Sequence, residues 1–483
     1  MDVSDFLRIF AEKNRFVYMK SKYCAAAACL AVALASSAMT LDDAWKLYNN
    51  ADYERAAEAA DSISAAQPKS SAAPYLAGLS YQALGKHDKA KSSLNSAKAK
   101  GSSDAAAVLA SEAFNAYRVD QAEALINEYR KLLAKTKGAK PNDLVPYLES
   151  KLPIMRSMLD RVEDIVVVDS VNVDAEMFFQ AYKLSPESGQ ICSGLELPED
   201  FPASDPTTVY CSEDGKTMIW GADDPQTQLS DLYTSHLLND GSWEAPQLVG
   251  DNLGLGGMAN YPFMMPDGQT LYFAAANDES LGGYDIFITR DNGDGFLTPQ
   301  NLGMPYNSPA DDYLLAIDES TGAGWWATNR NGIEGMVTIY LFIPSDFRKN
   351  ISIDDPALLD RARIGSIANT QRGEDFSEFL ARVEAVKPAV SAEKSDFMLT
   401  LADGRVITSL DELSNQQAVE AMEEYLQYIE DFNFLKNDLE NLRIQYASGD
   451  TSVSSDILQL ERRIEAARPR LLEQRNRVIS LNK

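Results

Sequence analysis

Three aspartates, Asp267, Asp278 and Asp285, fall within nineteen positions of the stretch PDGQTLYFAAANDESLGGYDIF. Two carboxylates held at a suitable distance are enough for general acid–base chemistry. Acidic residues are abundant throughout, with 72 Asp and Glu, so residue type alone singles out no pair. Other reactive groups are few. His87 and His236 are the two histidines, and no Gly-x-Ser-x-Gly elbow accompanies them. The segment DNGDGF at 291–296 is the best metal candidate. A calcium loop that began at Asp291 would need a glutamate at its twelfth position, where Leu302 stands, so the segment reads as a tight strand connection. No Walker loop, no Gly-x-Gly-x-x-Gly after a strand and no Cys-x-x-Cys is present, and no cofactor is expected.

The composition bounds the partners. Lys and Arg number 44, giving a formal charge of −28, which repels the phosphates of nucleic acids. With 483 residues and 45% hydrophobic content, the chain is expected to fold as two to four domains. Residues 1–38 read as an upstream extension followed by a secretory signal peptide. Translation would start at Met19, Lys20 and Lys22 precede an apolar run over 25–35, and cleavage is expected after Ala38. Cys29 has too little apolar sequence before it to be a convincing lipidation site, and no span is expected after cleavage. Two cysteines then remain, Cys192 and Cys211; a disulfide and a pair of buried thiols are both compatible with their spacing.

The elements around these residues repeat. Over 39–137 the chain is Ala-rich and helical, and ADYERAAEAADSISAAQP aligns with GKHDKAKSSLNSAKAKGS at an offset of 34. This sets Ala51 on Gly85, Tyr53 on His87 and Ala56 on Ala90, and a looser third unit runs through Ala110, Ala113, Ala122 and Ile126. The period, with Gly78, Tyr81, Ala90 and Ala97 in the second unit, resembles the tetratricopeptide repeat. The resemblance implies a helical solenoid whose first helices line a peptide-holding groove. By register those residues are Trp45, Tyr48 and Asn49, then Leu79 and Gln82, then Ser111, Phe114 and Asn115. Trp45 and Phe114 could equally pack against neighbouring helices.

A linker helix is expected over 138–160, after which VEDIVVVDSVNV switches to a strand period. Over 161–348, SEDGKTMIWGA aligns with MPDGQTLYFAA, and GSWEAPQLVG with DGFLTPQNLG, both at a shift of 53. A third copy, LLAIDESTGAGWWATNRNGIEGMVTIYLF, is more degenerate. Units near 50 residues with about four strands mark β-propeller blades. The segments PDGQTLYFAA, GGYDIF, LGMPYNSPADDY and ATNRNGIEGMVTIY resemble the WD40-like (PD40) repeats of TolB-type propellers. Once a one-residue length change is allowed, Asp285 corresponds to Asp231 and, in the third unit, to Thr338. A carboxylate replaced by threonine in the next repeat points to a structural role, accepting hydrogen bonds from a nearby turn. Of Trp325 and Trp326, strand alternation predicts one inward and one outward.

Beyond 348 the pattern predicts a helical connector over 349–395. Over 396–483 it predicts a hairpin around Asp403-Gly404 and then two helices, the second capped by Ser454 or Ser455. The fold class expected is therefore multidomain α + β: a helical solenoid, a β-propeller and a C-terminal helical hairpin or coiled coil.

The order of repeats is similar to Gram-negative envelope proteins that accompany outer-membrane assemblies, including type IX secretion, though the OmpA-like C-terminal domain is missing. The resemblance implies a non-catalytic periplasmic or outer-membrane-associated scaffold with protein partners. The alternative is a propeller that binds or hydrolyses glycans, for which Asp278, Asp311 and Asp312 would be the first residues to alter.

Overall fold

The structure is a computed structural model that describes residues 39–482 apart from 137, 139, 199, 205, 225, 226, 228, 251, 252, 334, 346, 387–398, 402–405, 408, 448 and 449. The expected leader, its cleavage site and the Asp403-Gly404 turn lie outside the described residues. The chain has an N-terminal helical region, a curled mixed sheet of many strands and a C-terminal helical region. It divides into two compact units: residues up to Ala113 with Asp120–Val145, and Phe114–Val119 with Pro146–Lys483.

The first unit is built from helix pairs, α1 (Leu41–Asn49) with α2 (Tyr53–Ala66) and α3 (Ala72–Ala83) with α4 (His87–Ala99), followed by most of α5 (Ser103–Asn115) and α6 (Val119–Lys135), whose junction at 114–119 belongs to the second unit. The Thr40 hydroxyl accepts the Asp43 amide at 3.2 Å and starts α1. The turn inside each of these two pairs needs a left-handed residue, and Ala51 and Gly85 take it at φ 58° and 68°; Tyr117, between α5 and α6, has φ 61°. After α3 the Lys86 amide donates back to the Tyr81 carbonyl at 2.9 Å, the reverse turn for which glycine is best suited. Ala56, Ala60, Ala73, Ala77, Ala90 and Ala97 are wholly buried. A Cβ on Gly78 would stand 2.7 Å from Leu94 Cγ, so small residues set how closely α3 and α4 approach.

In the second unit, α7 (Leu144–Leu159) leads into β1 (Val166–Asp174). The largest sheet holds β2 (Gln190–Ser193), β3 (Thr208–Cys211), β4 (Thr217–Asp223), β5 (Ser230–His236), β6 (Gln247–Leu248), β7 (Met258–Met264), β8 (Thr270–Ala276), β9 (Asp285–Arg290) and β10 (Gln300–Asn301). Among the described residues, its pairings are antiparallel except the Ser230–Met258 contact between β5 and β7. A four-stranded sheet holds β11 (Asp312–Asp318), β12 (Ala323–Thr328) and β13 (Met336–Ile343), with β1 antiparallel to β13.

The 53-residue offset recurs in the strand register: Ala222, Ala275 and Thr328, spaced 53 apart, face Asp231, Asp285 and Thr338. β7 and β11 are also bulged at matching places, where Tyr261 and Leu314 adopt φ of 53° and 46°. Side chains alternate accordingly. Ile219, Ala274, Trp325 and Ala327 enter one shared core, whereas Trp220, Phe273 and Trp326 lie wholly buried in separate outer clusters.

Trp325 and Trp326 thus point to opposite faces, but neither is outward: they are 3% and 0% exposed. The second face is covered by Tyr306, Tyr340 and Phe342 and by Ile364 and Ile367, the latter two flanking α8 (Leu358–Arg363) and α9 (Ala368–Gln371). The shared core is closed by a short 3₁₀ turn, Phe178–Ala181. The Phe178 ring stands edge-on to Tyr261 at 6.0 Å and Tyr313 at 5.2 Å, and the Tyr182 hydroxyl donates to the Leu314 carbonyl at 2.7 Å.

β1 is an edge strand, and side chains take up its outward backbone groups. The Val167 amide donates to Thr370 Oγ1 at 2.9 Å, and Gln371 Nε2 donates to the Val167 and Val168 carbonyls. Asn433 Oδ1 accepts the Asn172 amide at 3.0 Å, and its Nδ2 donates to the Asn172 carbonyl at 2.6 Å.

Asn433 belongs to α11 (Gln416–Ala447), which pairs with α12 (Ser454–Leu481). Their apolar faces, including Met422, Phe432, Leu439, Leu460, Ile464 and Val478, form one core with the two-residue strands β14 (Leu399–Thr400) and β15 (Val406–Ile407). α10 (Ser377–Glu384) adds Phe379 and Val383 to the shared core of the sheets. Neither Ser454 nor Ser455 caps α12. A 3₁₀ turn, Thr451–Val453, leads into it instead, and Asp450 caps that turn by accepting the Ser452 amide.

Candidate functional site

Apart from Asp278, the carboxylates singled out by the sequence are engaged in holding loops. Asp267 accepts the Gln269 and Thr270 amides, both at 2.8 Å, in a turn whose Gly268 has φ 64°. Asp278 is exposed on the turn after β8. Asp311 accepts the Tyr284 amide at 2.9 Å and Asn329 Nδ2 at 2.7 Å. Asp312 is wholly buried against Arg330, with Oδ1 2.6 Å from Nη2, and its Oδ2 accepts the amide and hydroxyl of Ser308.

Asp285 is also wholly buried; it accepts the Leu281 amide at 2.8 Å, the Gly282 amide at 3.1 Å and Asn301 Nδ2 at 2.7 Å. The loop it gathers must lie very close to its neighbour. A Cβ on Gly282 would be 1.9 Å from the Ala310 carbonyl, and one on Gly283 2.1 Å from Asp311 Oδ1. Asp285 is therefore the latch of a double-glycine loop, and Ile286 and Phe287 beside it are both wholly buried.

Burial pushes the Asp285 carboxyl up to about 7 although three N–H groups point at it. With the folded value above the unfolded one, the native state holds a proton that the unfolded chain releases between about pH 4 and 7. Stability from this group is full below about pH 4 and lost as pH rises through 7. Relative to Asp285→Asn, wild type is expected to lose at most about 4 kcal/mol between pH 4 and 7. Paired urea titrations across that range check it; a wild-type-minus-variant difference flat with pH would show that Asp285 is ionised throughout.

DNGDGF forms a hairpin connection. Asp291 bridges to Phe296, and Gly293 and Gly295 take φ of 92° and 132°. His236 Nδ1 lies 3.1 Å from Thr217 Oγ1 in the neighbouring strand. Among the described residues, no group of three or more His, Cys, Asp or Glu is placed to hold a metal ion.

The helical unit offers a different kind of site. Trp45, Tyr48, Leu79, Gln82 and Ser111 are half-buried, Asn49 and Asn115 exposed, and Phe114 is only 1% exposed. Trp45 meets Tyr48 edge-on at 5.6 Å, and Tyr48 meets Tyr53 at 5.2 Å. Trp45 also reaches Tyr75 of α3 at 6.3 Å, which joins the first pair to the second. Gln82 Nε2 donates to Glu112 Oε1 at 2.7 Å, linking α3 to α5.

The structure thus brings Trp45, Tyr48 and Asn49 together on α1 and carries the surface onward through Gln82; Phe114 is packed inside. Tyr75 is the residue that repeat register alone passes over. Its signal is helical spacing, since it precedes Leu79 by four positions and Gln82 by seven.

Tyr75 also lines a cleft of about 600 Å³ with Ser103, Asp104, Lys140 and Asn142. Burial lifts its phenol to about 12, so it stays a neutral donor. Half-buried rings beside amides and hydroxyls can hold an extended chain, the rings supplying contact area and the amides pairing its backbone. Compared with protein-family models, curated proteins and solved structures, the chain finds no match.

Proposed function

We propose that the chain is a non-catalytic scaffold of the cell envelope, in which tetratricopeptide-like helix pairs dock a protein segment and WD40-like blades provide a rigid frame. The observation that carries this reading is that Phe178, Tyr182, Tyr261 and Tyr313 are buried together in the core shared by the sheets, where the rings pack on one another. The left-handed residues at Ala51 and Gly85 and the common register of Asp231, Asp285 and Thr338 support the two repeat assignments. Pairing of β1 with β13 is the kind of clasp by which a ring of blades closes.

Cross-linking mass spectrometry in intact cells tests the proposal. Links from Lys46 or Lys86 to another envelope protein are expected. Trp45→Ala with Asn49→Ala should weaken the purified pair at least about tenfold. A chain that forms internal links only, or that binds or cleaves sugars in a glycan array and hydrolase panel, would displace the scaffold reading in favour of the glycan one.

A further inference from the structure

Cys192 and Cys211 lie on neighbouring antiparallel strands, in a register that pairs Cys192 with Val209 and Gln190 with Cys211. They are therefore diagonal neighbours on one face of the sheet. Their sulfurs are 3.8 Å apart. Both are thiols in this structure, Cys192 buried and Cys211 half-buried, and both belong to the cluster around Trp220.

A disulfide needs its sulfurs about 2.0 Å apart. The sulfurs must therefore close by about 1.8 Å, and Cys211 sits at the last position of β3, where the strand ends. The span between the cysteines carries Phe201, stacked on Trp220 at 5.4 Å, and Pro202, whose carbonyl accepts Trp220 Nε1 at 2.6 Å.

We propose that Cys192 and Cys211 are a modification site that takes up a cross-strand disulfide by exchange with an oxidised dithiol carrier. The Cys211 thiolate, the more accessible of the two, attacks one sulfur of the carrier disulfide and releases the carrier's other sulfur as a thiolate. The Cys192 thiolate then attacks the Cys211 sulfur of the mixed disulfide and releases the second. Two cysteine thiols are oxidised, one carrier disulfide is reduced to a dithiol, and the two protons pass to the carrier. The hydrogen bond with Cys192 holds the Cys211 thiol below its ordinary value, which favours that order. The bond staples β2 to β3 and closes the loop that packs on Trp220.

The test uses the full chain incubated with an oxidised small dithiol, then alkylated and digested. No Lys or Arg lies between Lys183 and Lys216, so trypsin leaves both cysteines in one peptide. Oxidation should appear there as the loss of two hydrogens with no alkylation, and cleavage after Glu196 should give two chains that separate on reduction. The stapled protein should unfold with an equilibrium constant about a hundredfold smaller than its reduced form, a difference missing from Cys192→Ser. Free alkylation of both thiols after oxidation, a carrier adduct that never resolves, or equal stability of the oxidised and reduced wild type would each overturn the proposal.

Discussion

Asp312→Ala is expected to destabilise the sheet region by about 3–5 kcal/mol, because it leaves the Arg330 guanidinium buried without its counter-charge. The Arg330 and Asp312 side chains are 8% and 0% exposed. The guanidinium donates as well to the Pro305 and Tyr306 carbonyls and to Thr328 Oγ1. Those neutral acceptors stay in the variant, but they cannot offset a full charge that has left water. Removing the charge too should recover most of the loss, so Asp312→Leu with Arg330→Met is expected to be markedly more stable than Asp312→Ala. Urea unfolding in a Trp45→Phe background reads the effect, since Trp220, Trp243, Trp325 and Trp326 then report the second unit alone. A loss below about 1 kcal/mol would mean that water reaches Arg330 in the native protein.

Phe178→Ala should cost about 3–5 kcal/mol, the range for emptying an aromatic site in a packed core. The ring is 4% exposed, and Tyr261 and Tyr313 beside it stack at 4.7 Å. Those two tyrosines come from the bulged strands, with Tyr261 itself in the left-handed region. They are held in place by what surrounds them, so the cavity should not close by simple collapse. The variant is expected to bind an apolar dye that wild type excludes, with a lower urea midpoint. An unchanged midpoint would show that the 3₁₀ turn rests on the core without filling it.

Much of this frame was legible from the sequence because it repeats. Gly215 and Gly268, at φ 66° and 64°, mark the same turn, and Trp220, Phe273 and Trp326 fill matching outer sites. The replacement of Asp285 by Thr338 was readable for the same reason. What repeats do not carry was not legible. The segment at 178–182 lies outside the repeated units, and its aromatic content fits a strand or a helix equally well. The cover over Trp326 comes from residues 306, 340, 342, 364 and 367, and no local pattern near Trp326 announces it. In the helical unit, Ala-rich periodicity located the helices, but whether Tyr75 is half-exposed depends on how successive pairs stack.

The clasp of β1 on β13 has a consequence in time. Val171 and Ile339 face each other, yet roughly 170 positions separate them along the chain, so the closing loop carries a large entropic cost. During synthesis β1 emerges first and waits roughly ten to thirty seconds for its partner. Thr370, Gln371 and Asn433, which seal its other edge, emerge later still. For that interval VVVDSVNV is a strand with two open edges. A chain that stops before Met336 never acquires the partner, and the open edges of such a strand are a template for pairing with another chain.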